Sequence, residues 1–478
     1  MLLRNIFFAL IFVLLGCEKP GIADDNSTQD NDKETDETTN SAFQTKVPYR
    51  DYDLMLFRIT GSSVLISISA YKKGSGYIEY FKSGTIGSSI ITFELIQDDV
   101  TEILLSNLLT STTYDYFVYF KSETDQTYRK STLYSFRTSP EKTKQFNIAI
   151  TADSHLDQMT DIEVYKTTLL NILYENPDFL IELGDTFMND KYGTEYKNAI
   201  LNYLAQRYYF GQVCHSIPFF FVQGNHDGEF GQYNNNTNDN IAIWSNITRK
   251  KYFSNPVPDS FYSGNSTPDP YAGFIQNYYS WTWGNALFIV LDPFWYSPPS
   301  GSKEPWHRTL GKEQYEWLKG ILEKSTVKYK FVFIHNLTGG LDLSGKARGG
   351  GEAAKYYEWG GKSLDGNDEF EIRRSGWEMP IHQLLVKYKV NIVFHGHDHL
   401  FAHQNLDGVI YQCLPQPGAF ENSNANQASE YGYVNGVFLG GAGFLNLRFE
   451  QNEAYVDYIS TSVKSQSNNK KVIYSYKL

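Results

Sequence analysis

The sequence of 478 residues contains little cysteine and little charge. Its three cysteines cannot build a disulfide framework, so the fold must rest on a packed core, which a chain of this length can bury. Charged residues make up 20% of the chain and hydrophobic residues 41%, which argues against wholesale disorder. The net charge of −12 argues against an electrostatic grip on nucleic acid, so no nucleic-acid binding is expected beyond that of a possible substrate. The length allows two domains.

The amino-terminal apolar run is short as well. Arg4 precedes the run Ile6–Leu15, which has the length of a signal peptide and is too short to span a bilayer as a stable helix. The run ends in Leu14-Leu15-Gly16-Cys17, which resembles the bacterial lipobox, in which the cysteine is acylated. We therefore predict that residues 1–16 are a lipoprotein signal peptide. Acylated Cys17 would hold the protein to the membrane of a bacterial cell envelope, facing the periplasm or the cell surface. The alternative is an ordinary signal peptide with an incidental cysteine.

Half of the net negative charge lies shortly after Cys17. Residues 24–41 carry seven acidic residues and one lysine. Ile22 is the one branched aliphatic residue between Cys17 and Ser41, so this segment cannot bury enough apolar surface to become ordered. We predict an acidic disordered tether over residues 17–42. Acidic residues after a lipidated cysteine resemble surface-export signals of some lipoproteins, and a solvated spacer is the other explanation.

Residues 43–140 alternate apolar and polar side chains between clusters of turn residues, without helical periodicity. Short strands at this spacing predict a small all-β sandwich. The run Leu108–Tyr116, closed by Tyr134–Thr138, resembles fibronectin type III domains, in which a corner tyrosine precedes the penultimate strand. The domain contains no cluster of reactive side chains, so it is expected to position or pack against a catalytic neighbour.

Residues 141–478 follow a different pattern, in which apolar strands alternate with helical stretches. We predict strands at Phe146–Thr151, Phe179–Leu183 and Pro218–Val222. Helices are expected near Ile162–Tyr174 and Glu195–Val213. This order predicts an α/β domain with crossover helices.

Five apolar strand runs in this domain are each followed by residues that bind metals or transfer protons. Sites in α/β sheets form outside the carboxyl ends of the strands, so these five motifs should converge. The five pairs of run and motif are Phe146–Thr151 with Asp153-Ser154-His155, Phe179–Leu183 with Gly184-Asp185, Phe219–Val222 with Gly224-Asn225-His226-Asp227, Phe331–Ile334 with His335, and Val390–Phe394 with His395-Gly396-His397-Asp398-His399.

The ligand types in these motifs indicate the metal. Carboxylate, imidazole and amide oxygen together suit manganese, iron or zinc, whereas calcium prefers oxygen alone and structural zinc prefers thiolates. Asp185 lies midway in the set, and one carboxylate can bridge two ions about 3.5–4 Å apart. Such a pair lowers the pKa of a shared water and places hydroxide in line with a phosphorus atom.

The order of these motifs resembles the calcineurin-like metallophosphoesterase superfamily from about Phe146 to about His403. The resemblance implies a two-sheet α/β/β/α core that hydrolyses phosphate esters. It implies that His226 donates a proton to the leaving oxygen or stabilises the transition state, and that Asp227 orients its imidazole. It assigns one metal to Asp153, His155, Asp185 and His399, and the other to Asp185, Asn225, His335 and His397.

A β-sandwich in front of such a core also resembles purple acid phosphatases, with three departures. Those enzymes have Asp-x-Gly where this chain has Asp153-Ser154-His155, and Gly-Asn-His-Glu where it has Asp227. Met188 stands at the position of their tyrosine ligand and cannot form the ferric-tyrosinate bond. We therefore expect a colourless relative that uses the general metal set of the superfamily.

An insertion rich in glycine and aromatic residues separates His335 from the last motif. Its residues Arg348, Arg373 and Arg374 are possible phosphate ligands if the insertion closes over a substrate. The alternative is a solvated loop that packs on the small domain. His395, beside the last motif, could support the metal ligands from behind.

The sequence thus predicts a secreted, lipid-anchored phosphoesterase with two metals, a metal-bridged hydroxide as nucleophile and a phosphate-ester substrate. A phosphatase acting on monoesters is the primary hypothesis, and a nucleotide or cyclic phosphodiesterase is the alternative within hydrolases. The alternative of another class is a catalytically silent surface lipoprotein that binds a partner.

Overall fold

The computed structural model describes residues 42–141, 145–298, 304–341, 347–420, 425–451 and 453–478. The predicted signal peptide, Cys17 and all of the predicted tether except Ala42 lie outside these residues. Across the described ranges, no helix combines the length and the apolar character needed to cross a membrane.

The first eight strands form two antiparallel sheets, one ordered β1-β2-β5 and the other β4-β3-β6 with β7 and β8 both pairing with β6. Alternate side chains of β6 are buried, as its alternating sequence requires. The hydroxyl of Tyr114 accepts a hydrogen bond from the Leu109 N–H at 2.9 Å, which is the contact of a tyrosine corner. The small β-sandwich is thereby confirmed. Its strands are β1 (Tyr52–Phe57), β2 (Val64–Ala70), β3 (Gly74–Lys82), β4 (Ser89–Leu95), β5 (Val100–Leu105), β6 (Thr113–Ser122), β7 (Arg129–Lys130) and β8 (Tyr134–Arg137).

The larger domain contains a six-stranded and an eight-stranded sheet. The first is ordered β11-β10-β9-β22-β23-β24 and the second β12-β15-β16-β17-β18-β20-β19-β21, while β13 and β14 form a separate pair. The strands are β9 (Phe146–Thr151), β10 (Phe179–Glu182), β11 (Phe219–Phe221), β12 (Ser263–Gly264), β13 (Pro268–Asp269), β14 (Gly273–Phe274), β15 (Tyr279–Trp283), β16 (Ala286–Val290), β17 (Tyr329–Phe333), β18 (Ile392–His395), β19 (Phe401–Leu406), β20 (Val409–Cys413), β21 (Val437–Leu439), β22 (Gly443–Glu450), β23 (Glu453–Ser460) and β24 (Lys471–Lys477). The helices are α1 (Ile162–Glu175), α2 (Ile200–Cys214), α3 (Ile241–Tyr252), α4 (Gly311–Lys324), α5 (Tyr357–Gly360), α6 (Phe370–Arg373) and α7 (Ile381–Lys387).

The two sheets pack face to face, and helices cover their outer faces. One apolar cluster joins the facing sides of β9, β10, β16 and β17. A second lies between the first sheet and helices α1 and α2, and a third between the second sheet and helices α4 and α7. This is the α/β/β/α arrangement, so the fold class expected from the sequence is confirmed.

Local chemistry explains where the first helices begin. The carboxylate of Asp161 accepts hydrogen bonds from the N–H groups of Glu163 and Val164 and caps α1, and the left-handed Asn176 (φ 48°) ends it. Helix α2 begins at Ile200, later than predicted, because Gly193 has a non-helical backbone (φ 56°, ψ −123°) and the segment before it is a 3₁₀ helix.

Residues Phe43 and Gln44, which the sequence assigned to the β-sandwich, contact the larger domain. Phe43 forms a β-bridge with Asp157 and stacks on Tyr192 at 5.2 Å. The Gln44 N–H donates to the Leu156 carbonyl at 2.7 Å. The chain therefore enters the described structure alongside the loop that follows β9.

Candidate active site

The five predicted motifs meet at one end of the packed sheets. Three of them follow β9, β10 and β11 of the first sheet, and two follow β17 and β18 of the second. Four of their non-glycine residues have left-handed backbone conformations: Asp153 (φ 63°), Asp185 (φ 55°), His397 (φ 72°) and His399 (φ 57°). Non-glycine residues seldom adopt this conformation, and it is concentrated at functional sites.

Asp153, His155 and His399 form the first cluster. Each offers one ligand atom, and these atoms lie within 4.8 Å of one another. Oδ1 of Asp153 is 3.7 Å from Nε2 of His155 and 3.4 Å from Nε2 of His399. The carboxylate also accepts a hydrogen bond from the His397 N–H at 2.9 Å, which links this cluster to the Gly-His-Asp-His loop.

Asp185, His335 and His397 form the second cluster, by the same criterion. Nε2 of His335 lies 3.2 Å from Oδ2 of Asp185 and 3.1 Å from Oδ1 of Asn225. Nδ1 of His335 lies 2.7 Å from the Leu183 carbonyl. Because Nδ1 must carry the proton to donate to that carbonyl, Nε2 is directed to the site.

Asp185 lies between the two clusters. Its Oδ2 is 3.9 Å from Nε2 of His155, in addition to the contact with His335. Although burial raises the pKa of Asp185, the imidazoles of His335 and His226 hold it well below its usual range. Burial lowers the pKa of His155, but the carboxylates around it, Asp153 first, raise it to about 10.

The residues fit a pair of divalent transition metals. Nε2 of His155 is buried without a hydrogen-bond partner, although it faces two carboxylates. A metal ion would satisfy this nitrogen and compensate the buried carboxylates. The donors at these positions are imidazole nitrogens, carboxylate oxygens and the amide oxygen of Asn225, which suits manganese, iron or zinc.

His226 lies at the edge of the two clusters, with Nε2 3.9 Å from Oδ2 of Asp185. Its Nδ1 is 2.9 Å from Oδ2 of Asp190. The prediction that Asp227 orients this imidazole is wrong. The buried carboxylate of Asp227 accepts the N–H groups of Asp185, Thr186, Phe187 and Gly224 at 2.8–2.9 Å, so it shapes the loops that carry Asp185 and Asn225.

The family model of the calcineurin-like phosphoesterases matches residues 146–401, which is more than half of the chain and includes all five motifs. The chain belongs to the calcineurin-like phosphoesterase family. It is therefore a metal-dependent phosphoester hydrolase, as the resemblance of its motifs implied.

Solved structures agree on the fold of this phosphoesterase. "Structure of PhoD" aligns with a TM-score of 0.61 and 16% identity, covering 92% of this chain and 91% of that one. The purple acid phosphatase PPD1 from yellow lupin (Lupinus luteus) seeds aligns with a TM-score of 0.56 and 15% identity, covering 89% of this chain and 73% of that one. No curated protein sequence matches.

The arginines of the insertion have structural partners in this phosphoesterase. Arg374 donates to the buried carboxylate of Glu358 at 2.5 Å and to the Trp306 carbonyl, and Arg373 pairs with Glu369. Neither arginine lines the cavity beside His226, so the expectation that they bind phosphate is wrong. Arg374 stays paired with Glu358, because a buried carboxylate without a cation would lower the stability of the fold.

Arg348 lies closer to the site, but it serves the metal-binding loop. Its guanidinium donates to the His397 carbonyl at 3.2 Å and to Asp398 at 3.0 Å, and it stacks on the ring of Tyr431 at 4.1 Å. Asp398 also accepts the hydroxyl of Tyr433 at 2.7 Å. Arg348 therefore fixes the Gly-His-Asp-His loop.

None of the described residues of the insertion lines the cavity beside His226, and its buried aromatic residues pack within the larger domain. Trp359 is fully buried in the cluster between the second sheet and helices α4 and α7, and its Nε1–H donates to the Tyr411 hydroxyl at 2.8 Å. Both expectations for the insertion are corrected, because its aromatic residues belong to the core of the larger domain.

Several supporting residues were not apparent from the sequence. Asp157 lies 3.2 Å from Nδ1 of His155, and the Gln416 amide donates to the Asp153 carbonyl at 3.0 Å. The fully buried Glu182 accepts hydroxyl groups of Thr151, Ser154 and Thr186. His395 is buried, and burial lowers its pKa to about 4, so it is neutral; a supporting role for it remains a prediction.

Met188 stands where a tyrosine ligand would be in a purple acid phosphatase. It is 3% exposed and packs in a small apolar cluster with Phe43 and Tyr192. A thioether supplies no phenolate, so nothing at this position gives the ferric-tyrosinate colour.

Proposed function

We propose that the protein is a phosphatase with two metal ions, held in two clusters that share Asp185, and that it hydrolyses phosphate monoesters. The observation that carries the proposal is the position of Asp185, whose Oδ2 lies within 3.9 Å of imidazoles from both clusters and of His226. A carboxylate in that position suits a bridge between two ions.

Each residue has a definite part in this proposal. Asp153, His155 and His399 would hold one metal, Asn225, His335 and His397 would hold the other, and Asp185 would bind both. When bound, such metals neutralise phosphoryl charge and lower the pKa of a coordinated water. His226, carrying a proton on both ring nitrogens, donates the Nε2 proton to the leaving oxygen, while the Asp190 carboxylate accepts Nδ1–H and holds the ring in orientation.

The test uses residues 42–478, stripped of metal and then supplied with manganese, zinc or iron. We expect about two ions per chain and turnover of a chromogenic monoester that returns with the metal. Asp185→Ala should lose both metal and turnover. His226→Ala should keep its metal and lose turnover by about 10²–10⁴, the span of general acid catalysis. Full metal loading without turnover of any ester would contradict the proposal, as would absence of metal, which would favour the silent binding lipoprotein.

A phosphodiesterase is the second candidate. Among the described residues that line the cavity beside His226, Lys191 is the one lysine or arginine. A diester carries one negative charge less than a fully ionised monoester and needs fewer cations outside the metal cluster. The ratio of the rates with matched monoester and diester substrates decides between the two candidates.

We further propose that the enzyme acts outside the cytoplasmic membrane, tethered through acylated Cys17 to a bacterial cell envelope. The lipobox-like sequence before Cys17 and the acidic composition of residues 24–41 support this location. A fibronectin type III-like identity for the β-sandwich is proposed on the basis of its tyrosine corner.

A further inference from the structure

A cavity of about 360 Å³ opens beside the candidate metal ligands. One side is formed by the imidazoles of His155, His226 and His399. This volume falls within the range of pockets that bind small molecules. If a phosphoryl group binds at the metals, its organic substituent lies next to this cavity. The chemistry of the remaining walls indicates which kind of substituent the cavity accepts.

The walls away from the imidazoles offer an apolar side to a substrate, formed by Met159, Met188, Ala419, Phe420 and Tyr431. The other described lining residues are Asp157, Lys191, Gln416 and Gln427. Phe420 is 45% exposed and Met159 is 66% exposed, so two large apolar side chains are left in solvent at the cavity. Single exposed apolar residues are ordinary, but several at the mouth of a catalytic cavity are typical of a ligand-binding surface.

Charge around the cavity is unsuited to a second anionic group. Lys191, the one lysine or arginine among its described lining residues, has its ammonium 3.8 Å from the Asp190 carboxylate, which offsets its charge. Arg348 is directed to Asp398. Recognition of a further phosphate or carboxylate generally uses arginine or several cations, which the described lining residues do not offer.

We infer that this cavity binds the organic group of the substrate, and that this group is apolar and flat, an aryl group or one of similar shape, on an ester with a single phosphoryl group. The inference rests on the proposed function, because it takes the phosphoryl group to sit at the metal clusters. It adds the class of substrate that the walls select, through contacts with Phe420 and Met159.

The test compares three phosphonates, which cannot be hydrolysed as esters, by calorimetric binding to the metal-loaded enzyme. Phenylphosphonate should bind about tenfold more tightly than methylphosphonate, since it adds ring burial and an aromatic contact. 4-Carboxyphenylphosphonate should bind no more tightly than phenylphosphonate. If neither phenylphosphonate nor methylphosphonate binds, the proposed function fails and the inference with it. Equal binding of these two contradicts the inference alone, and much tighter binding of the carboxylated probe indicates a substrate with a second anion.

Two variants test whether the preference for phenylphosphonate arises in this cavity. Phe420→Ala should reduce the preference for phenylphosphonate over methylphosphonate severalfold and leave methylphosphonate binding unchanged. Phe274→Ala is the matched control, because Phe274 is 46% exposed, close to the 45% of Phe420, and does not line the cavity. An equal preference in both variants would place the aromatic contact elsewhere and overturn the inference.

Discussion

At the scale of single residues, the pairing of His226 with Asp190 sets the geometry of proton transfer. Nδ1 of His226 is 2.9 Å from Asp190, while Nε2 faces Asp185. A carboxylate at Nδ1 fixes both the tautomer and the orientation of an imidazole. Asp190 is therefore a positioning residue that acts through His226.

Asp190→Asn tests this role. We expect turnover to fall about 10–100-fold with unchanged metal content, because the imidazole loses the partner that holds its orientation. The fall should appear in kcat more than in KM, and the pH profile of kcat should shift, which a purely structural defect would not cause. Asp239→Asn is the control, because Asp239 is an exposed acid that pairs with Lys197. Unchanged kinetics in Asp190→Asn would contradict the assignment.

Asp178 gives a prediction on pH and stability. Burial raises its pKa to about 6, even though Arg137 lies 3.5 Å away and lowers it. Because the unfolded carboxyl has a pKa of about 3.9, the folded protein holds the proton more tightly. The contribution of Asp178 to the free energy of unfolding is therefore full below about pH 4 and declines as the pH rises to about 6.

Asp178→Asn should remove this decline. Between pH 4 and pH 7, the stability of the metal-free wild type should fall relative to the variant by about 2 kcal/mol. Urea unfolding across this range measures the difference, with the exposed Asp98→Asn as the control that should keep the wild-type slope. Parallel curves for wild type and Asp178→Asn would contradict the raised pKa.

The sequence predicts the residues of the two clusters because each follows the end of an apolar strand within a short motif. The backbone places such residues together whatever lies around them. The partner of His226 could not be predicted in this way. Asp227 is adjacent in sequence, but its carboxylate is taken up by four backbone N–H groups, whereas Asp190 reaches the imidazole through the 3₁₀ segment Asn189–Ala199.

At the scale of elements, the strands around the first three motifs and helix α1 are close to their predicted bounds, since their apolar periodicity is strong, whereas α2 begins five residues later than predicted. The insertion before α7 is different. Its composition of glycine and aromatic residues suits a surface loop as well as a core segment. Which of the two it becomes depends on whether its aromatic side chains find an apolar surface of the domain to pack against. Trp359 shows that here it packs as core.

The segment Phe43–Gln44 supports the loop that follows His155, so its removal should affect metal binding. The Gln44 amide donates to the carbonyls of Asp157 and Thr160, both at 2.7 Å, and Phe43 is 9% exposed. Chains that begin at Ala42 and at Lys46 should therefore differ, although both retain the complete β-sandwich and every candidate ligand.

We expect the chain of residues 46–478 to bind metal and turn over substrate severalfold more weakly than the chain of residues 42–478. The loss comes from the loop that carries His155 and Asp157, whose support by Phe43 burial and the Gln44 bonds is removed. Metal titration and kinetics of the two chains measure it. Gln44→Ala in the longer chain should give a smaller loss of the same kind, and equal behaviour of both chains would show that the segment is dispensable.

At the scale of the whole molecule, the β-sandwich and the larger domain share buried contacts. Arg207 of α2 is fully buried, and its guanidinium donates to the carbonyls of Ser67 at 2.9 Å and Tyr252 at 2.8 Å. Met55 and Phe57 of β1 pack in the same apolar cluster as α2. The sandwich therefore supports a helix of the catalytic domain, so deleting it would expose part of that core.

The proposed attachment to a membrane depends on Cys17, which lies outside the described residues, and it can be tested at that residue. Replacing the thiol in Cys17→Ser removes the atom that would carry the first acyl chain, and stable anchoring takes more than one chain. We expect the wild-type protein, produced in a bacterial host, to take up labelled fatty acid and to sediment with membranes. Cys17→Ser should take up no label and remain in the supernatant with unchanged specific activity. Cys413→Ser serves as the control, because that buried thiol lies within the fold and should not alter attachment. Release of the wild type together with the variant would show that Cys17 is incidental to an ordinary signal peptide.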